Sequence, residues 1–345
     1  MRSSDHAAGT QLSDPATVMS APTSMRTAVV IYNPIKVDLD ALKAAVGREE
    51  RAAGWSESSW IATSEDDPGQ GAAAEAISAG ASMVIAAGGD GTVRAIAEGL
   101  RDSSIPIALL PAGTGNLLAR NLKLTLDDLE DAIHTAFHGD DHRVDLGLID
   151  IDHEDRTAST HAFLVMAGLG LDAKMLANTD DDLKKKAGWL AYAQALSLTL
   201  RDKNELRLRY NLNGGTTGAL RAHTLIVGNC GALPAKIVLL PDAQLDDGEF
   251  DVVVMRPKGL IGWVQIFGKV LWENGVLNRT KAGRALMTKE VSALRYVRAT
   301  ELKVDLLHTA EIELDGDGFG RTTGFTTRIM PGGLTVKVPT NAERD

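Results

Sequence analysis

VIAAGGDGTVRAIAEGL, Val84 to Leu100, changes character half-way. An apolar run of strand length stops at Gly88-Gly89-Asp90-Gly91-Thr92, and an amphipathic, helix-like pattern follows. A strand that enters a helix through a glycine-rich turn belongs to an open parallel α/β sheet, and the rest of the N-terminal half repeats that grammar. RTAVVIY (Arg26–Tyr32) reads as a short strand and DLDALKAAVGREERAAG as a helix closed by glycine. SSWIATS, ASMVIAA and IPIALL read as three further strands, the last ending at PAGTGN. PGQGAAAEAISAG, LLARNL and LDDLEDAIHTAFHG read as helices between and after them.

Near HRVDLGLIDI (His142–Ile151) the alternation ends. HAFLVMAG, ELRLRYNL, AHTLIVGN, EFDVVVM, ELKVDLL and AEIELDG read as strands with hairpin-like spacing. Two helical segments, LKKKAGWLAYAQALSLTLR and GLIGWVQIFGKVLW, interrupt them. The expected organisation is a disordered leader (1–24), a nucleotide-binding α/β domain with a parallel sheet (25–144), and a β-rich, sandwich-like domain (145–320). A C-terminal strand and tail (321–345) are free to return to either domain.

Bulk properties narrow the function. A chain of 345 residues is long enough for two cores. A net charge of −10 argues against a nucleic-acid groove, so no nucleic acid is expected as a partner. The single cysteine, Cys230, excludes an intramolecular disulfide and fits a reducing compartment. No apolar stretch reaches membrane-span length, and the leader lacks the apolar middle of a signal peptide. A cytoplasmic protein is expected.

Ligands of a parallel α/β sheet sit at the carboxyl ends of its strands. Four polar or glycine-rich loops fall on that edge, after Tyr32, Ala62, Ala87 and Leu110. Glycine allows close backbone approach, and a helix N-terminus offers unpaired N–H groups to a phosphate. Gly88, Gly89 and Gly91 therefore read as a phosphate cradle, with Thr92 as a cap. A carboxylate repels phosphate, so Asp90 makes sense there with a cation such as Mg²⁺ between them. On that reading Asp90→Asn abolishes turnover and leaves the fold intact. The ordinary alternative is a tight turn with Asp as a cap. Two loops of the same style, GGDGT and AGTGN, on one sheet edge favour nucleotide binding.

GGDGTV (Gly88–Val93) followed by PAGTGNLLARNL (Pro111–Leu122) resembles the diacylglycerol kinase catalytic-domain family, which includes bacterial lipid kinases, sphingosine kinases and ceramide kinases. GLGLDA (Gly168–Ala173), LPDAQLDDGEFDVVVM (Leu240–Met255) and ELDGD (Glu313–Asp317) continue the resemblance in order across most of the chain. It implies an ATP- and Mg²⁺-dependent lipid kinase with its active site in the interdomain cleft. ATP would be bound by Asn33, Thr63, Gly88, Gly89, Asp90, Gly91, Thr92, Val93, Arg94, Gly113, Thr114 and Asn116. Asp315 would be the general base for the acceptor hydroxyl, with Asp90 and Asp317 as supporting carboxylates. A second, structural Mg²⁺ site maps onto the Asp247 side chain and the backbone carbonyls of Gln244 and Glu249. The implied partner is a lipid at the membrane surface, diacylglycerol or a related lipid alcohol. Peripheral contact with the inner membrane face and a homodimer are compatible with this reading.

The chain departs from the family pattern in places. Asn33-Pro34 is followed by Ile35-Lys36 instead of small residues, so Lys36 stands ready to supply charge. Arg94-Ala95 replaces a common Asn-Glu, Leu117 stands where many members have Asp, and Asp317 replaces Glu. Asp145, in RVDLG, matches a family aspartate. Two alternatives stay open: an NAD kinase-like phosphotransferase, disfavoured by PAGTGNLLARNL and LDGD, and a catalytically silent lipid- or nucleotide-binding protein. Trp263, Phe267 and Trp272, with Lys258 and Lys269, suit either a membrane interface or a core helix.

Overall fold

The computed structural model describes residues 25–170, 205–233, 237–257 and 294–340. The leader, the whole of the two long helical segments with Trp263, Phe267 and Trp272, and the last residues of the tail lie outside the described residues.

Strands β1 (Ala28–Tyr32), β2 (Ser59–Ala62), β3 (Met83–Gly88) and β4 (Ile107–Pro111) pair in parallel in the order β2-β1-β3-β4. Helices α1 (Leu39–Ala52), α2 (Gln70–Ser78), α3 (Asp90–Leu100), α4 (Leu117–Asn121) and α5 (Leu129–His138) follow them as the sequence predicts. Asp38 and Asp128 start α1 and α5 by accepting first-turn backbone N–H groups. Alternate strand residues face opposite helix layers. Val29, Ile31, Val84, Ala86 and Leu109 pack with Ala73, Ala76, Ile96 and Leu100 of α2 and α3. Val30, Met83, Ile85, Ala108 and Leu110 pack with Leu42, Val46, Ile133 and Phe137 of α1 and α5. Both faces are covered, which is why these strands read as unbroken apolar runs.

The remaining strands are β5 (Asp140–His153), β6 (Ala158–Phe163), β7 (Met166–Leu169), β8 (Leu206–Leu212), β9 (Gly218–Ala222), β10 (Thr224–Gly228), β11 (Ala232–Leu233), β12 (Ile237–Val238), β13 (Phe250–Met255), β14 (Leu294–Ala299), β15 (Glu301–Leu314) and β16 (Asp317–Val338). Among the described residues one sheet runs β14-β13-β10-β7-β15-β16-β4-β3-β1-β2, with β5, β6, β8 and β9 paired off this path. β16 is the seam. It pairs antiparallel with β15 and β5, then meets β4 in parallel at Val336 and Ile107. A register shift between Met330 and Leu334, with Gly332 at φ 58°, bends it between the two pairings.

Several expectations change. ELKVDLL and AEIELDG are one bulged strand, β15, and GGLTVKVP is the end of the 22-residue β16. The boundary expected at residue 320 therefore falls inside β16, and the one at residue 145 falls inside β5. HAFLVMAG is two strands, broken at Leu164-Val165. β9 and β14 carry no clear apolar run. β14 ends the order of the sheet, and its Arg295, Val297 and Arg298 are exposed. Among the described residues no helix is long and apolar enough to cross a membrane.

The contact of α2 with α3 depends on Gly99. A methyl group there would stand 2.6 Å from the Ala73 Cβ and 2.9 Å from the Gln70 carbonyl oxygen. Gly99→Val should lower stability by about 1–3 kcal/mol through overpacking, read as a lower urea midpoint. An unchanged midpoint would mean that α2 and α3 do not approach this closely.

Candidate active site

The two glycine loops at the carboxyl ends of β3 and β4 interlock. Asp90 sits at the start of α3, and its carboxylate reaches across to the second loop. Oδ2 accepts the Asn116 N–H at 2.9 Å and Oδ1 accepts the Leu117 N–H at 2.5 Å. Those amides open α4, so Asp90 caps a helix that belongs to the other loop. Asn116 holds a left-handed conformation at φ 47°. Its amide closes the loop on Gly113, accepting the N–H at 3.0 Å and donating to the carbonyl at 2.8 Å.

The glycines make this approach possible. A Cβ on Gly113 would lie 2.8 Å from the Gly89 Cα, and one on Gly115 would overlap the Asp90 carboxylate. Gly88 leaves room for Thr92, whose side chain a Cβ would meet at 2.7 Å. Loop-to-loop contact thus explains several glycines that the sequence assigned to phosphate contact alone. Burial raises the Asp90 carboxyl above its ordinary value, against the lowering effect of the Leu117 and Asn116 amides and of Lys36. Lys36 itself reaches over the first loop, where a methyl on Gly89 would meet its Nζ at 2.7 Å.

Asp315 faces this assembly from the turn between β15 and β16. It is buried and held at φ 50°. Its carboxylate accepts the N–H groups of three consecutive residues: Leu164 at 2.8 Å, Val165 at 2.8 Å and Met166 at 2.9 Å. That is where β6 stops and β7 starts, so the break frees backbone amides for the carboxylate. Burial pushes the Asp315 carboxyl up to about 6, while the three amides and Arg94 oppose the shift. The native state therefore holds this proton more tightly than the unfolded chain. Ionising Asp315 costs stability as the pH rises from about 4 to about 6.

Gly88, Asp90, Val93 and Asn116 line one small cavity, of about 20 Å³, together with Asp315. Leu109, Leu118, Ala119, Leu164 and Val165 give the same cavity apolar walls. Beside it, Asp317 is half-exposed and lies against the first loop, its Oδ2 2.6 Å from where a Cβ on Gly91 would stand. Buried Arg94 lies 3.7 Å from Asp317 and 3.7 Å from Glu98, and stacks over Phe319 at 4.6 Å. Glu98 accepts the Ala162 N–H at 2.8 Å and faces His161 at 3.5 Å, tying α3 to β6. The i, i+4 spacing of Arg94 and Glu98 was a signal for that pair. The Leu164–Met166 amides had none, because any residue other than proline supplies one.

The other expected residues divide. Asn33 and Thr63 sit at the ends of β1 and β2, where their N–H groups bond Ala87 and Tyr32 carbonyls at 2.9 Å. Thr114 is exposed at the tip of the second loop. Gln244, Asp247 and Glu249 lie elsewhere, on a turn held by Asp145. The Asp145 carboxylate accepts the Gly248 N–H at 2.6 Å and the Gly332 N–H at 2.7 Å. Asp247 is hydrogen-bonded and ion-paired to the Arg298 guanidinium, which also lies 3.3 Å from Glu249. A cation at that carboxylate would meet a guanidinium already in place. The residues as arranged do not fit the structural Mg²⁺.

Residues 27–149 match the family described as Diacylglycerol kinase catalytic domain, and residues 165–338 match the YegS C-terminal NAD kinase beta sandwich-like domain. The chain belongs to the diacylglycerol kinase family. It is a kinase-type enzyme, built as an α/β domain with parallel strands and a C-terminal β-sandwich domain. A "Probable lipid kinase YegS-like" of Pseudomonas fluorescens Pf-5 is 32% identical over 92% of this chain and 96% of its own length. A "Diacylglycerol kinase" of Bacillus subtilis is 26% identical over 87% of this chain and 92% of its own. A crystal structure of a putative diacylglycerol kinase from Bacillus anthracis shares the fold, with a TM-score of 0.67 at 21% identity, over 92% of this chain and 97% of that one.

The cross-loop cap changes what an Asp90 substitution should do. In Asp90→Asn one carboxylate oxygen becomes an NH₂ that faces a backbone N–H. We expect a stability loss of about 1–3 kcal/mol together with weaker ATP binding, measured by thermal denaturation and calorimetry on one preparation. Full stability with lost turnover would instead restore the reading of Asp90 as a partner for a cation alone.

Proposed function

We propose that this diacylglycerol kinase-family enzyme transfers the γ-phosphoryl group of ATP to the hydroxyl of a lipid alcohol, diacylglycerol or a close relative. One observation carries this reading: a single cavity has the glycine loops on one side, a buried carboxylate on another, and apolar walls between them. The loops offer backbone N–H groups and the α3 N-terminus to the phosphates. Lys36, over Gly89, adds a positive charge that suits the β- and γ-phosphates. The apolar walls suit an acyl-bearing acceptor better than the polar ribose of a dinucleotide, which supports the lipid reading over the NAD kinase-like alternative.

Asp315 is the proposed general base. Three amides orient it, and a value of about 6 leaves it ionised at neutral pH yet basic enough to take a hydroxyl proton. As the acceptor oxygen bonds to the γ-phosphorus, its proton passes to Asp315. The bond from the γ-phosphorus to the β–γ bridging oxygen breaks, and ADP leaves with that oxygen. Mg²⁺ would be held by the half-exposed Asp317 carboxylate, a hard oxygen donor against the phosphate loop, and would neutralise phosphate charge there; unlike Arg298 at Asp247, Arg94 stands 3.7 Å away without a hydrogen bond. Arg94, stacked on Phe319, holds Asp317 on that side of the cavity.

The test is transfer of labelled phosphate from ATP into a membrane-lipid extract, with mass spectrometry of the product, at a series of pH values. The kcat profile should fall below an acidic limb near pH 6, where Asp315 is protonated and cannot accept a proton. Asp315→Asn should cut kcat by about a hundred to ten-thousandfold, keep ATP affinity and remove the limb. Asp317→Asn should be milder and keep the limb. Near-normal turnover in Asp315→Asn with a dead Asp317→Asn would reassign the base. ATP turnover without any phosphorylated lipid would overturn the acceptor class.

A further inference from the structure

α1 and α5, which contribute no residue to the cavity lining, cover the same face of the parallel sheet. Near the end of α1 stands Glu49, and on α5 stand His134 and His138, one turn apart. Both imidazoles converge on one carboxylate oxygen. His134 Nδ1 lies 3.4 Å and His138 Nε2 3.0 Å from Glu49 Oε2. The three donor atoms lie within 4.8 Å of one another, and the two rings stack at 4.5 Å. In a tetrahedral complex with bonds of about 2.0–2.1 Å, donor atoms stand roughly 3.3–3.4 Å apart. The two His–Glu separations bracket that edge length.

The geometry points to a transition-metal site made by Glu49, His134 and His138, with Zn²⁺ as the ion class. Two imidazoles and one carboxylate form a borderline donor set, suited to zinc and its neighbours. Mg²⁺ and Ca²⁺ take oxygen ligands. The site is thus chemically distinct from the ion that would accompany ATP. Both histidines are exposed, so solvent reaches the ion and water completes the fourth position. Arg48, next to Glu49, is paired with Glu130, one turn before His134, so its guanidinium is directed along the same helix–helix seam without occupying the Glu49 oxygen. A bound ion would join two helices distant in sequence and stabilise the native state by mass action, since the unfolded chain does not hold the three donors together.

The experiment uses untagged, chelator-stripped protein titrated with Zn²⁺ alone by calorimetry, with Co²⁺ as the spectroscopic probe. One equivalent should bind with a Kd of about micromolar or tighter, and the Co²⁺ form should show the visible bands of a tetrahedral site. The melting temperature should rise with Zn²⁺ and not with equal Mg²⁺. His134→Ala and His138→Ala should each weaken binding at least about tenfold, and Glu49→Gln should do so with the least disturbance of the surface. Each variant's melting temperature without metal verifies its fold. Absence of stoichiometric Zn²⁺ binding would overturn the proposal. So would binding within about twofold of the parent in the His134→Ala/His138→Ala double variant, or an equal response to Mg²⁺.

Discussion

The Asp315 carboxylate, held by the amides of Leu164, Val165 and Met166, is the contact on which the site depends. It requires β6 and β7 to part, because paired amides have no hydrogen to give. It also requires Asp315 to adopt φ 50°, a conformation that aspartate tolerates better than most residues. In return, an ionisable group is fixed in the cavity that the two glycine loops form. Burial and hydrogen bonding act on it in opposite directions. Burial wins, and the carboxyl ends near 6. In the proposed role of general base, a free carboxylate at the surface would be too weak at neutral pH.

The opposite wall rests on a second, half-buried carboxylate with a different task. Asp90 joins the loop after β3 to the loop after β4 by capping α4 from a distance. The two loops are thereby joined, with the Gly89 and Gly113 backbones in close approach. β16 ties this pair of loops to the β-rich half, since it pairs with both β4 and β15. Asp315 and Asp317 flank the hairpin turn at its start, so the sheet itself sets the distance between these carboxylates and the glycine loops.

Much of this was legible in the sequence. The four parallel strands carry unbroken apolar runs, and the glycine loops fall at their ends, so the fold and the position of the loops could be read directly. Asp315 and Asp317 were identified only because ELDGD resembles a family motif; as bare residues they looked like an ordinary turn. The partners that give these residues their chemistry were hidden. Asp90 meets amides 26 and 27 residues away, and Arg298 meets Asp247 at a separation of 51 residues. No local pattern encodes such pairings. The continuity of β16 was hidden too, since its small and polar residues interrupt the apolar alternation.

A crystal structure of the enzyme with a non-hydrolysable ATP analogue and Mg²⁺ tests the central claim most directly. The account predicts the β- and γ-phosphates against the Gly88–Thr92 backbone, within hydrogen-bond reach of the Lys36 Nζ. The γ-phosphorus should face the side of the cavity that holds Asp315. Phosphates seated away from the two glycine loops, or a γ-phosphate separated from Asp315 by the protein wall, would contradict it.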